Sequence, residues 1–128
     1  MDEQRHGGGA GRRRTGRLSR SAEFDRVYRQ GRSVANRYLV LYTFPREGAT
    51  DSPRLGFSVG RKVGGAVERN HLKRLLREAC QRQAEALPVG HDIVLLARAA
   101  ARELGDAEGL EGVDAALAEL LAKAPGRA

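Results

Sequence analysis

The chain has a single cysteine, Cys80, among 128 residues, which excludes an intrachain disulfide and any CxxC metal site. No apolar run approaches the roughly 18 residues of a membrane span. No signal peptide follows Met1, so a soluble cytoplasmic protein is expected. Catalytic patterns are missing as well. There is no DxD and no HExxH, and "GRKVGGA" falls short of the phosphate loop GxxxxGK followed by Ser or Thr. His6, His71 and His91 lie in an amino-terminal arm, a basic helix and a turn, with no shared motif for acid and base work. Cys80 follows Ala79 at the edge of an apolar helix face and reads as a buried structural thiol. The residues offer no catalytic apparatus of their own, and no metal or cofactor set.

Acidic residues are scarce in two particular places. Residues 11–37 hold nine arginines against Glu23 and Asp25, a net +7, and residues 54–82 hold eight basic side chains against Glu68 and Glu78, a net +6. Residues 99–128 carry a net −3. Two basic blocks separated by a neutral, strand-like stretch point to a polyanion-binding surface assembled by folding. The length suits one domain with a modest core. Residues 1–15, rich in glycine and nearly free of apolar side chains, read as a disordered basic arm. Its Arg12, Arg13 and Arg14 need no fold to touch phosphates. Residues 16–123 read as the folded domain and 124–128 as a tail.

"SAEFDRVYRQG" has the marks of a short helix: Ser21 as N-cap, Glu23 and Asp25 in the first turn, and Gly31 as the stop. Phe24, Val27 and Tyr28 share one face, a spacing that fits core packing. "NRYLVLYTF" is apolar on both alternating sets and predicts a central strand covered on both sides, with a short extra strand at "SVAN" before it. In "RLGFSV", Leu55, Phe57 and Val59 share a face, while Gly56 and Ser58 leave the other open, as if something approaches the backbone there. A helix is predicted from about Ala66 to Glu85, then a buried strand "DIVLLA". A closing helix "GLEGVDAALAELLAKA" carries Leu110, Val113, Leu117, Leu120 and Leu121 on one stripe. The fold class is α/β (α+β), a small single-domain sandwich of one central sheet with helices.

The helix after the glycine pair Gly64 and Gly65 is the most informative segment. Stepping ~100° per residue puts Leu72, Leu75, Leu76 and Ala79 in one arc, and Arg69, Asn70, Lys73, Arg74 and Arg77 in a second, nearly opposite. Solvated helix faces usually mix charge signs at i+4 spacing, and this arc does not. Cations in the opening turns also oppose the helix dipole, so a phosphate partner is expected to compensate. The helix lies between strands with no short helix and turn before it, which argues against a helix-turn-helix reader. Exposed rings beside a basic helix suit single-stranded RNA.

"GRKVGGAVERNHLKRLLREA" closely resembles the signature of the bacterial ribonuclease P protein component, which runs like K-K-x-G-x-A-V-x-R-N-R-x-K-R-x-x-R. "RLSRSAEFDRVYRQGRSVANRYLVLYT" and "HDIVLLAR" resemble the same family in order and spacing, over roughly residues 16–121. The resemblance implies the protein subunit of a ribonucleoprotein endoribonuclease that removes the 5′ leader from precursor tRNA. Hydrolysis would be carried by the RNA subunit, with Mg²⁺ acting through that RNA and no cofactor or small-molecule ligand on the protein. It also implies the fold of the second domain of ribosomal protein S5, with a left-handed β-α-β crossover. By position, Arg61, Lys62, Arg69, Asn70, His71, Lys73, Arg74 and Arg77 fall on the RNA-subunit-binding motif. Arg17, Phe24, Tyr28 and Tyr42 fall at positions implied to meet the leader, with Leu18 beside Arg17. The implied partners are ribonuclease P RNA and precursor tRNA, without a membrane. His71 departs from the motif, which has arginine there. A ribosomal-RNA-binding protein and a self-sufficient nuclease are the alternatives.

Overall fold

The strand His91–Ala97 has Ile93, Val94 and Leu95 in succession, which leaves neither face fit for water. The fold answers by putting it at the centre of the sheet. The computed structural model describes residues 16–18, 21–46, 48 and 51–123. The arm at 1–15 with Arg12, Arg13 and Arg14, and the tail at 124–128, lie outside the described residues.

In chain order the elements are β1 (Gly16–Arg17), α1 (Ser21–Gln30), β2 (Arg32–Ala35), β3 (Leu39–Pro45), β4 (Arg54–Val59), α2 (Ala66–Arg82), a 3₁₀ turn (Ala84–Ala86), β5 (His91–Ala97) and α3 (Ala100–Lys123). The strands form one mixed sheet in the order β1-β4-β5-β3-β2. β5 pairs parallel with β4 and antiparallel with β3. Because β4 and β5 are parallel neighbours, α2 is the crossover of a β-α-β unit. The result is the α+β sandwich the sequence predicts.

The two sheet faces differ in depth of cover. On one, Leu39, Leu41, Leu55, Val59, Ile93 and Leu95 meet Leu72, Leu76, Leu117, Leu120 and Leu121 from α2 and α3 in the main core. On the other, α1 covers a small core of Leu18, Val27 and Val94. This corrects the expectation for β3. Leu39, Leu41 and Thr43 are buried, but Val40, Tyr42 and Phe44 are only half-buried, because one ten-residue helix cannot cover the whole face.

Two helix boundaries also differ from the sequence reading. α2 ends at Arg82, and the residues after it form the separate 3₁₀ turn instead of continuing to Glu85. α3 starts nine residues before the predicted closing helix, at Ala100, and its backbone leaves helical geometry at Gly109 (φ 59°, ψ −145°). Only glycine adopts that conformation without strain. The added turns are rich in alanine and contain Gly105, so their apolar pattern is faint. Gly105 lies so close to α2 that a Cβ there would stand 3.2 Å from a Leu75 methyl.

Candidate RNA-binding surface

The turn before α2 presents Arg61 and Lys62 to solvent. It is closed by the Val63 N–H donating to the Gly60 carbonyl at 3.0 Å and the Gly64 N–H donating to the Arg61 carbonyl at 3.1 Å, while the Val63 side chain is buried beneath. The two cations are thus carried on a fixed turn.

α2 then buries Leu72, Leu75, Leu76, Ala79 and Cys80. Asn70, His71, Arg74 and Arg77 are exposed, whereas Arg69 and Lys73 are half-buried. The predicted arcs therefore hold, with one correction. Arg69 and Lys73 lie on the flank of the helix that adjoins the core, not opposite it. Arg69 goes furthest, with its Nε buried and without an acceptor among the described residues. A buried donor left unpaired costs about 1–3 kcal/mol. Arg77 leans back to the sheet, its guanidinium carbon 5.6 Å from the centre of the Phe57 ring, a cation–π contact that fixes its stem.

Part of the anticipated negative partner is internal. Glu68 Oε1 accepts the Gly65 N–H at 2.9 Å, and Oε2 lies 3.7 Å from Arg102 on α3. That carboxylate offsets the dipole at the amino end of α2, so the dipole does not require a phosphate. The unmixed charge remains. Arg82 pairs with Glu111 and Asp114, yet among the described residues no carboxylate pairs with Arg69, Lys73, Arg74 or Arg77. Val67 stands 78% exposed within this basic surface, an apolar side chain the sequence reading passed over. Cys80 is buried, and burial pushes its thiol up to about 12, where it stays neutral and unreactive.

The other predicted set gathers on the opposite sheet face. The Phe24 and Tyr28 rings lie 6.4 Å apart at 60°, and Tyr28 and Tyr42 lie 4.8 Å apart at 72°. All three are half-buried, so each ring keeps a free surface. The register sets Val40 and Ser58 on either side of Leu96, and these half-buried residues continue the floor beyond the rings. Arg17 does not join the rings: it is exposed on β1 at the sheet edge, in register with Leu55 of the main core, whereas Leu18 faces the rings and is anchored by its N–H to the Leu55 carbonyl at 2.7 Å. Something does approach the bare backbone at Gly56, as predicted: it is the protein's own Phe24, whose Cζ would stand 2.6 Å from a Cβ there.

Beside these rings runs a charged cluster the sequence reading missed. Asp92 is fully buried and accepts two hydrogen bonds from Arg54, at 2.8 and 2.9 Å. Arg46 Nε lies 3.1 Å from the same carboxylate, and Arg54 reaches on to Glu23 of α1 at 3.2 Å. The Asp92 hydrogen bond is the main cause raising the Arg54 pKa further. A signal was present: Arg54 is the first residue of β4 and Asp92 the second of β5, and the parallel register pairs them.

A cationic helix on one face and an aromatic groove on the other suit RNA, and the chain as a whole shows the family. The family model for ribonuclease P matches residues 13–123. The chain belongs to the ribonuclease P protein family. The ribonuclease P protein component of Halalkalibacterium halodurans is 46% identical over 88 residues, covering 69% of this chain and 73% of that protein. The RNase P protein of Staphylococcus aureus, solved at 2.0 Å, superposes with a TM-score of 0.75 at 34% identity, over 88% of this chain and 97% of that one. The RNase P protein from Thermotoga maritima gives 0.76 at 33%, over 86% and 98%. The family's place in tRNA processing within a ribonucleoprotein replaces the ribosomal-protein alternative. No helix among the described residues is long and apolar enough to cross a membrane. Nor do three His, Cys, Asp or Glu side chains converge there to hold a metal ion.

His71 is the position at which this chain departs from the arginine of the motif it resembles. It is exposed, one helical step outside the cationic flank. We predict that His71→Arg strengthens binding to ribonuclease P RNA by a smaller factor than Arg69→Ala weakens it, because the histidine position lies off the main stripe. Filter binding of both variants checks this, and a gain exceeding the Arg69→Ala loss would contradict it.

Proposed function

We propose that α2 and the turn before it dock on ribonuclease P RNA, and that the groove of Phe24, Tyr28 and Tyr42 holds the single-stranded 5′ leader of precursor tRNA. The observation that carries this reading is the cationic flank and face of α2, Arg69, Lys73, Arg74 and Arg77, without a carboxylate partner among the described residues and continued by Arg61 and Lys62. An acceptor-rich polyanion satisfies the solvent-facing N–H groups of these side chains. Val67, exposed in the free protein, is covered on docking.

The leader part of the reading rests on half-buried rings with free edges and on the uncovered sheet beside them. A base stacked on an aromatic side chain contributes about 1–3 kcal/mol, with little regard to sequence. Arg17, exposed on the edge strand in register with Leu55, supplies a phosphate contact by reaching round the sheet edge. The protein would thus discriminate precursor from mature tRNA, since only the precursor reaches the groove. Hydrolysis belongs to the RNA subunit in this reading, with Mg²⁺ held by RNA phosphates and no catalytic residue on the protein. A mutant of the Staphylococcus aureus protein is described as having defective mRNA degradation activity, so cleavage by the protein alone is a control worth running here.

The test assembles the protein with a bacterial ribonuclease P RNA and compares binding of a precursor tRNA with the same tRNA lacking its leader. Two stacked bases predict a preference of at least roughly tenfold for the precursor. Equal affinities would remove the leader site from the account.

A further inference from the structure

Helix α1 is held to the sheet by very little apolar burial. Of its ten residues only Val27 is fully buried. Yet Phe24 and Tyr28, which form one wall of the proposed groove, both sit on this helix, so whatever fixes α1 also fixes the groove.

Two adjacent side chains of α1 meet β4 at alternate residues of one strand face. Glu23 accepts from Arg54 at 3.2 Å. Arg54 cannot swing away, because it is held in turn by the fully buried Asp92 through two hydrogen bonds at 2.8 and 2.9 Å. Next to it, the Phe24 ring lies on the bare backbone of Gly56. Any Cβ there would stand 2.6 Å from Cζ and 3.0 Å from Cε2 of the ring, and 3.1 Å from Leu18. A contact that close has to move the ring. One pair sets the lateral position of α1 by charge, and the other sets its height by the absence of a side chain. From Phe24 the rings pass edge to face through Tyr28 to Tyr42, so a shift at β4 is transmitted along the groove wall.

We infer that Glu23, Arg54 and Gly56 are positioning residues: a clasp on β4 that sets the width of the aromatic groove and hence the preference for leader-bearing substrate. The inference rests on the leader reading proposed above. None of the three needs to touch RNA to act.

The experiment uses holoenzyme assembled from full-length protein and a bacterial ribonuclease P RNA, with Glu23→Gln and Gly56→Ala as separate variants. Each is measured for binding to precursor tRNA and to the leaderless tRNA, for kcat and KM, for protein affinity to the RNA subunit, and for thermal unfolding. Glu23→Gln keeps the shape and removes the charge of a partly exposed pair, and is expected to weaken precursor binding roughly fivefold. Gly56→Ala displaces the ring and is expected to cost roughly tenfold, about one stacked base. In both, the leaderless affinity and the affinity for the RNA subunit stay at the wild-type values, and KM for precursor rises while kcat at saturation holds. A merely structural role would lower all affinities together and track the unfolding midpoint. Equal losses on both substrates, or no loss in either variant, overturns the inference while wild-type discrimination stands. Wild-type protein that binds both substrates equally overturns the leader reading and the clasp with it.

Discussion

Replacing Asp92 with alanine is expected to lower the unfolding midpoint by more than about 10 °C, the largest stability loss predicted for any single charged residue here. Asp92 is fully buried, with Arg54 at 2.8 and 2.9 Å and Arg46 at 3.1 Å around its carboxylate. Breaking such a group by removing one partner costs about 3–5 kcal/mol, because the opposite charge is left without compensation. Here the residue lost is the buried carboxylate that both guanidinium groups share, leaving Arg46 only the exposed Asp51 and Arg54 only Glu23 as carboxylate partners among the described residues. The two arginine side chains remain 21% and 31% exposed, so water takes up part of the loss and the lower end, about 3 kcal/mol, applies. For a domain of this size, each kcal/mol moves the midpoint by roughly 4–5 °C. Thermal denaturation followed by circular dichroism checks the value, with Asp92→Asn as the milder comparison that keeps the side-chain shape. A drop below about 5 °C would mean that the cluster is already well hydrated.

The second large effect concerns salt. Six cations, Arg61, Lys62, Arg69, Lys73, Arg74 and Arg77, make up the proposed dock. If each neutralises one phosphate, affinity for ribonuclease P RNA is expected to fall about 10³-fold between 50 and 200 mM monovalent salt, using the duplex slope. Arg74→Ala is the cleanest single probe. Arg74 is exposed and, among the described residues, has no carboxylate partner, so its loss leaves folding nearly unchanged. It should reduce the slope of log affinity against log salt by about one. Arg77 is a poorer probe, since it also packs on Phe57. A flat salt profile would mean that this face of α2 is not the docking surface.

The parts of the fold that were legible in the sequence are those with strong, uniform patterns. β5 announces itself as an unbroken apolar strand, and α2 by segregated leucines and cations. The aromatic positions came through the family resemblance rather than through periodicity, because a stripe such as Phe24, Val27 and Tyr28 fits core packing equally well. In the structure the stripe is split: Val27 is buried, while the two rings are half-buried.

What the sequence concealed has specific physical causes. The first turns of α3 are mostly alanine, glycine and charge, and their helical form depends on packing against α2 through Gly105. Arg54, Asp92 and Glu23 look like ordinary surface charges until the parallel register of β4 and β5 brings the first two side by side beneath α1. The open face at Gly56 was visible, but its occupant was not, since Phe24 is distant in sequence. The cations opening α2 were expected to need an external anion, and Glu68 supplies part of that charge locally. Its i+3 relation to Gly65, a glutamate at the third helical position, was there to be read.

The central claim is that this protein acts by joining a catalytic RNA to its substrate. Single-turnover cleavage of a precursor tRNA at low magnesium tests it most directly, with ribonuclease P RNA alone, protein alone, and the two together. The account predicts efficient cleavage at the mature 5′ end only in the mixture, reduced toward background when Arg69, Lys73 and Arg74 are replaced by alanine. No stimulation by the protein, or cleavage by the protein without RNA, would contradict it.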